Sequence, residues 1–169
     1  NIPQEYFEAY DFFQKQDKDL RVLELPFLSD AGWVYYDWRK EGNYQGIGIN
    51  FFGIPQPYLT SDFARWGETN DFFYHELRYA LNNKDASHLK DIFMKYNIDL
   101  ILVDENLNIE KKHQFDFNLL IALLRKTGAY PVWQKNKISV FYFPHNNPHE
   151  KLAPKKIYFI NQKDFKRVR

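Results

Sequence analysis

Cysteine is absent from the 169-residue chain. Its absence excludes disulfides, thiolate nucleophiles and cysteine-based zinc or iron–sulfur sites, but it leaves the redox compartment open, because a chain without cysteine tolerates any. Long hydrophobic runs are absent as well: the longest apolar stretch, residues 119–124, is far below the roughly 18 residues that a membrane-spanning helix needs. No signal-peptide pattern opens the chain, so the sequence predicts a soluble protein. Because the chain begins at Asn1 inside a helical pattern and without a methionine, we expect it to be processed or excised from a longer one.

A strong excess of charge of one sign is also lacking. The formal net charge is +1, which argues against a globally basic nucleic-acid-binding protein, and we expect no nucleic-acid partner. The charge is unevenly distributed, however: seven Lys or Arg and one Asp lie in residues 151–169, so that this tail carries about +6 and residues 1–150 about −5. The sequence therefore predicts a single domain over residues 1–150, followed by a basic C-terminal extension over residues 151–169 in which residues 156–160 could add one strand.

Motifs for metals and nucleotides are missing. The histidines show no HExxH pattern and no pair of ligands on one helix face, which predicts surface positions and no metal site. They are His75, His88, His113, His145 and His149. Gly46 and Gly48 are followed by Phe51 where a dinucleotide fingerprint needs its third glycine, and no helix follows. We therefore expect no cofactor.

Aromatic residues are abundant, with 16 Phe, 12 Tyr and 4 Trp making up 19% of a chain whose mean hydropathy is −0.61. Such rings supply core, interface or sugar-stacking surface. They are dense between residues 28 and 66, where five glycines and two prolines interrupt them. Few regular elements survive so many turn residues, so this stretch predicts a long ordered loop region with short strands.

The centre of the predicted fold is residues 86–107. Leu89, Ile92 and Phe93 recur at helical spacing, and Ile98 followed by an apolar run over residues 100–103 leads to Asp104. A strand that is apolar at consecutive positions is covered on both faces, which favours the middle of a sheet with helices packed on it. We therefore expect residues such as Ile101 to lie in the core.

The remaining elements follow from spacing and turn residues. We expect helices over residues 3–16, 70–81 and 115–126, with Thr69 or Asn70 as the N-cap of the second and Gly128 ending the third. Strands are expected over 21–25, 130–134 and 138–143, the last two joined by a turn at 135–137, with a loop over 106–114 and a linker over 146–148. The predicted fold class is α/β, a mixed β-sheet with packed helices and a long aromatic, Gly/Pro-rich loop region.

Two sets of residues are candidates for a binding site. Flat rings beside polar side chains are typical of sugar sites, because rings cover the apolar C–H faces and polar groups bind the hydroxyls. The candidate carbohydrate-binding residues are Trp33, Tyr35, Tyr36, Asp37, Trp38, Arg39, Tyr44 and Gln45. The alternative is that these rings pack the glycine-rich region onto the sheet or onto a partner.

The second set is the strand-end pair Asp104 and Glu105, which stands where open α/β sheets place acids that contact ligands. Ordinary solvation at the end of a strand is the simpler interpretation of this pair. A free-standing enzyme that uses acids such as Asp37 and Asp104 is a further alternative.

Two segments resemble a known group of proteins: HLKDIFMKYNIDLILVDENL and LLIALLRKTGAYPVWQKNKISVFYF. Together with RVLELPF and GWVYYDW, they resemble the extracytoplasmic C-terminal portion of polytopic bacterial and archaeal membrane proteins related to GT-C glycosyltransferases, including the YfhO-like group. In such proteins the catalytic acid and the lipid-linked donor site lie in the membrane part. No catalytic residue can therefore be carried over from the resemblance to this chain.

The resemblance implies an extracytoplasmic module of a membrane glycosyltransferase-like protein, which contributes glycan or acceptor contacts rather than catalysis. Its expected partners are a glycan or lipid-linked sugar and a nearby membrane, toward whose anionic lipids the basic tail would hold the domain. The alternative is a protein-interaction module of a cell-envelope assembly, with the aromatic loops contacting a protein partner.

Overall fold

The computed structural model of the chain describes residues 2–26, 33–36, 38, 44–47, 53–59, 68–108 and 116–145. The described residues form four helices: α1 (Gln4–Gln14), α2 (Glu68–Asn82), α3 (Ala86–Lys95) and α4 (Phe117–Thr127). The strands are β1 (Val22–Leu25), β2 (Trp33–Tyr36), β3 (Tyr44–Ile47), β4 (Tyr58–Leu59), β5 (Leu100–Asp104), β6 (Leu107–Asn108), β7 (Tyr130–Lys135) and β8 (Ile138–Tyr142).

The main sheet has five strands in the order β4-β1-β5-β8-β7. Strand β1 runs parallel to β4 and β5, whereas β8 runs antiparallel to β5 and β7. A second, antiparallel sheet has the order β3-β2-β6. The predicted α/β class, with a mixed sheet and packed helices, is confirmed, and β5 is the middle strand.

Strand β5 is buried along its whole length, because its two faces meet different layers. Ile101 and Val103 belong to a core with α2, α3 and α4, while Leu100 and Leu102 face α1 on the other side. Successive strand residues point to opposite faces, so a strand whose consecutive residues are apolar has to be packed against other elements on both faces of the sheet. The prediction that Ile101 lies in the core is confirmed.

Local capping explains where two of the helices begin and end. Asp85 accepts a hydrogen bond from the His88 amide at the start of α3, and Asp116 accepts one from the Leu119 amide at the start of α4. Gly128 ends α4 with φ +96°, a left-handed conformation that favours glycine. The predicted end of α4 is confirmed. The predicted caps of α2 are wrong, since Thr69 and Asn70 lie inside that helix.

Strands β7 and β8 form the predicted hairpin, with Asn136 at φ +48° in its turn. Strand β7 lies at the edge of the sheet and is exposed along most of its length. Pro131 lacks an amide hydrogen, and a register shift between Pro131 and Trp133 bends the strand. Both features are typical of edge strands that resist pairing with other chains.

The hairpin is also tied to α1, the first helix of the chain. Lys135 forms an ion pair with Glu8 at 3.2 Å, and the side-chain nitrogen Nδ2 of Asn136 donates to Glu5 Oε2 at 3.3 Å. At the other end of α1, the Gln56 amide nitrogen donates to the carbonyl of Phe13 at 2.7 Å. The helix is therefore held at both ends by segments distant in sequence.

Two sequence predictions need correction here. Residues 106–114 are not all loop, because Leu107 is buried and β6 pairs with β2. His145 is not a surface residue: its side chain is 9% exposed and lies 3.2 Å from Asp99, which is 5% exposed. The same ring nitrogen approaches the Ile98 carbonyl at 3.1 Å, so it carries a hydrogen that both acceptors share.

Several predictions fall outside the described residues. These are the linker over 146–148, the candidate strand over 156–160, the basic tail, two histidines (His113 and His149) and most of the aromatic loop region apart from β2, β3 and β4. Across the described ranges, no helix combines the length and the apolar character that crossing a membrane requires.

Candidate functional site

The α1 side of the sheet brings together residues from both candidate sets. The Tyr6 hydroxyl, on α1, donates to Asp104 Oδ2 at 2.6 Å, and Trp38 Nε1 donates to the Tyr6 oxygen at 3.0 Å. Tyr36 packs beside both rings. We call Tyr6, Tyr36, Trp38 and Asp104 the Tyr6 cluster. It lies at the carboxyl end of the parallel strands β1 and β5, the edge where α/β sheets commonly bind ligands.

The rings of the Tyr6 cluster fix one another through edge contacts. Tyr6 and Trp38 meet at 5.1 Å and 70°, and Tyr6 and Tyr36 at 6.3 Å and 77°, while Tyr36 and Trp38 are tilted by 34° at 4.5 Å. In edge contacts the positive edge of one ring meets the negative face of the other. Tyr36 is only 1% exposed and belongs to the core, whereas Trp38 is half-buried. Trp38 is therefore the least buried member of the cluster.

Asp104 is fully buried, so the expectation of a solvated strand end is wrong for this residue. The physical reason is that α1 covers the end of β5. Burial raises the pKa of Asp104 to about 6, because loss of hydration outweighs the hydrogen bonds from Tyr6 and the Asn106 amide, which oppose the rise. Burial, together with the adjacent carboxyl of Asp104, also raises the pKa of Tyr6 far above its usual range.

Glu105, the second strand-end acid, is half-buried and has a different role. Its amide donates to the Lys137 carbonyl at 2.8 Å and so continues the backbone pairing beyond β5 toward the hairpin turn. The predicted pair of strand-end acids is thus divided, with Asp104 pointing into the Tyr6 cluster and Glu105 remaining partly accessible.

Sequence reasoning missed three residues of this region. Glu24 is 6% exposed and points to the α1 side, since Leu23 and Leu25 on either side of it face the other core. Tyr6 was predicted only as part of a helix, and Tyr58 only as part of the aromatic loop region. Burial raises the pKa of Tyr58 well above 10, and the adjacent carboxyl of Glu24 adds to the rise. The available signal was a glutamate in an otherwise apolar strand.

The geometry favours positioning over reaction. Asp104 can exchange a proton near neutral pH, but both its oxygens are engaged, one by Tyr6 and the other by the Asn106 amide. Its carboxyl therefore orients Tyr6, and Tyr6 orients Trp38. Among the described residues, no group of three His, Cys, Asp or Glu side chains could hold a metal ion.

Four other predicted sugar contacts, Trp33, Tyr35, Tyr44 and Gln45, belong to strands β2 and β3 of the second sheet. The backbones of β2 and β3 pair Tyr35 with Gln45, Tyr36 with Tyr44, and Trp33 with Ile47. Asp37 and Arg39 lie outside the described residues. The pairing brings the two halves of the predicted aromatic site together at the level of the backbone.

Comparisons with known proteins complete the description of the site. A scan against protein-family models, a search of curated proteins and a search of solved structures each found no match to this chain.

Proposed function

We propose that this chain is an extracytoplasmic module of a membrane glycosyltransferase-like protein and that it contacts a glycan or lipid-linked sugar without catalysing bond formation. The membrane placement rests on the sequence resemblance. The observation that carries the sugar contact is Trp38, a half-buried indole fixed by a hydrogen bond to Tyr6 and by packing on Tyr36.

Sugar recognition requires a ring that is rigid and partly accessible. Hydrogen bonding of Trp38 to Tyr6 satisfies the polar edge of the indole, so a stacked sugar would not have to satisfy it. An apolar ring face with nearby polar groups is the arrangement that sugars bind. The acid nearest to Trp38 in this hydrogen-bonded chain, Asp104, is buried and engaged by Tyr6, which supports a contact role over a catalytic one.

The test is a glycan array followed by fluorescence titration with the oligosaccharides that bind. We expect Trp38→Ala to abolish binding, because it removes the stacking face. Trp133→Ala is the matched control: Trp133 is also half-buried on this side of the sheet, and its ring packs on Phe12 at 5.7 Å. Melting curves of both variants check that the fold survives. Failure of all glycans to bind the wild type, or equal loss in the two variants, would contradict the proposal.

A protein-interaction module is the second candidate, and helix α2 provides the observation that favours it. Phe72 and Tyr79 are 62% and 60% exposed. Seven residues apart, they lie two turns from one another on the same side of the helix. Large exposed rings are enriched in protein interfaces. Phe72→Ser with Tyr79→Ser would weaken a protein complex while leaving glycan binding unchanged, which separates the two functions.

A further inference from the structure

The hydrogen bonds of the Tyr6 cluster form a chain with a defined direction. Asp104 Oδ1 accepts from the Asn106 amide at 2.9 Å, and Oδ2 accepts from the Tyr6 hydroxyl at 2.6 Å. Tyr6 has one hydroxyl hydrogen, so its oxygen can only accept from Trp38 Nε1, at 3.0 Å. The direction of the whole chain is set by Asp104 being ionised, because an ionised carboxylate only accepts.

Protonation of Asp104 reverses the first bond. The added hydrogen needs an acceptor because the carboxyl is buried, and the Tyr6 oxygen, 2.6 Å from Oδ2, is an acceptor in direct reach, whereas Oδ1 faces the Asn106 amide hydrogen. Two hydrogens cannot share the 2.6 Å line between Asp104 and Tyr6, so Asp104 becomes the donor. The Tyr6 hydrogen then has to turn away from Asp104, toward the side of the phenol oxygen to which Trp38 Nε1 donates. Two donors now oppose each other, and Trp38 loses its acceptor.

We propose that protonation of Asp104 displaces the indole of Trp38 through Tyr6, which makes this ring a pH-dependent contact surface. Tyr6 is thus a positioning residue that transmits the protonation state of a buried acid to a half-exposed ring. The consequence for sugar binding rests on the proposed function, whereas the displacement itself does not.

The surroundings of Asp104 favour uptake of a proton. Glu5 directly precedes Tyr6 on α1 and raises the pKa of Asp104, while Glu24 lies on the same face of the neighbouring strand β1. The phenols of Tyr36 and Tyr58 also lie near Asp104. The pKa of Tyr58 is itself raised by the nearby carboxyls of Glu24 and Asp104. Burial raises the pKa of Asp104 to about 6, so the change falls near neutral pH.

Fluorescence of a single tryptophan tests the displacement. In the full chain, Trp33, Trp66 and Trp133 are each replaced by Phe, which leaves Trp38 as the reporter. Between about pH 5 and pH 8 we expect one transition with its midpoint near pH 6, and a red-shifted emission on the acid side as the indole gains access to water.

Variants then distinguish displacement of Trp38 through Tyr6 from mere titration of the Asp104 carboxyl. Asp104→Asn should abolish the transition. Tyr6→Phe should abolish it too and fix the emission at its acid position, although the Asp104 carboxyl still titrates in NMR spectra. Glu24→Gln, which alters a buried acid on the same face, should retain the transition. A transition that survives in either Asp104→Asn or Tyr6→Phe overturns the proposal, and so does a flat wild-type profile.

Glycan binding and Trp38 fluorescence, both measured at the two ends of the pH range, distinguish this proposal from the proposed function. If no glycan binds at either end of the pH range while the Trp38 transition is present, the proposed function fails and the displacement stands. If glycans bind equally at both ends and the transition is absent, the displacement fails alone.

Discussion

A single buried carboxyl makes the stability of this protein depend on pH. The pKa of Asp104 is about 6 in the folded chain, above its ordinary value of 3.8. The folded state therefore holds the proton more tightly than the unfolded state between these values. The sign follows: this contribution to stability is complete below about pH 4 and is lost as the pH rises through 6.

Urea denaturation at a series of pH values measures this contribution. We expect the free energy of unfolding of the wild type to fall by about 2 kcal/mol relative to Asp104→Asn between about pH 4 and pH 7, since each pKa unit corresponds to about 1.4 kcal/mol and part of the contribution is already lost at pH 4. Asparagine does not titrate, so the difference between the two proteins isolates Asp104. A difference that stays constant over this range would contradict the assigned burial.

The same residue marks the limit of prediction from sequence. Ile101 could be placed in the core because its neighbours in the chain are apolar. Asp104 could not be placed correctly, because the side chain that covers it, Tyr6, lies 98 residues away. Local patterns carry the period of an element and its caps, but not the identity of the element that packs on it.

Among the elements, α4 offers a direct test of helix termination. At Gly128, φ is +96°, and a Cβ added there would meet no atom within 4 Å. Gly128→Ala should therefore lower the free energy of unfolding by about 1 kcal/mol, which is the cost of holding alanine at a positive φ. Gly128→Asn should cost less, because asparagine tolerates the left-handed region better than alanine. Equal losses of unfolding free energy for the two variants, measured by denaturant unfolding, would contradict the explanation that the left-handed backbone causes the cost.

Elements with strong local signals were predicted well, and those made by pairing were not. Helix α3, strand β5 and the β7–β8 hairpin have complete apolar periods and turn residues. Strand β6 consists of two residues, and only its pairing with β2 makes it a strand. For the same reason only part of the Tyr6 cluster and its surroundings could be named from the sequence: Tyr36 and Trp38 stand out as rings, but Glu24 needs the sheet to reveal which side it faces.

On the scale of the whole molecule, the proposed membrane placement makes a prediction about the basic tail. Basic side chains near an anionic surface contribute roughly 1 kcal/mol each and act within a Debye length. The side chains concerned are Lys151, Lys155, Lys156, Lys163, Lys166, Arg167 and Arg169. We expect the protein to cosediment with anionic vesicles at low salt, and to be released by added salt and by truncation after Glu150. Equal recovery in the supernatant with anionic and neutral vesicles would refute this.

The contact between α1 and the hairpin has a consequence for synthesis. Tyr6 and Phe13 on α1 pack against Ile138 and Val140 on β8, and Glu5 bonds to Asn136, 131 residues later in the chain. A ribosome makes α1 well before β8, so the helix emerges long before the surface that buries it. Nascent chains that stall before Ile138 would present the apolar side of α1 to chaperones, and release of α1 from them would mark the moment at which the sheet is complete.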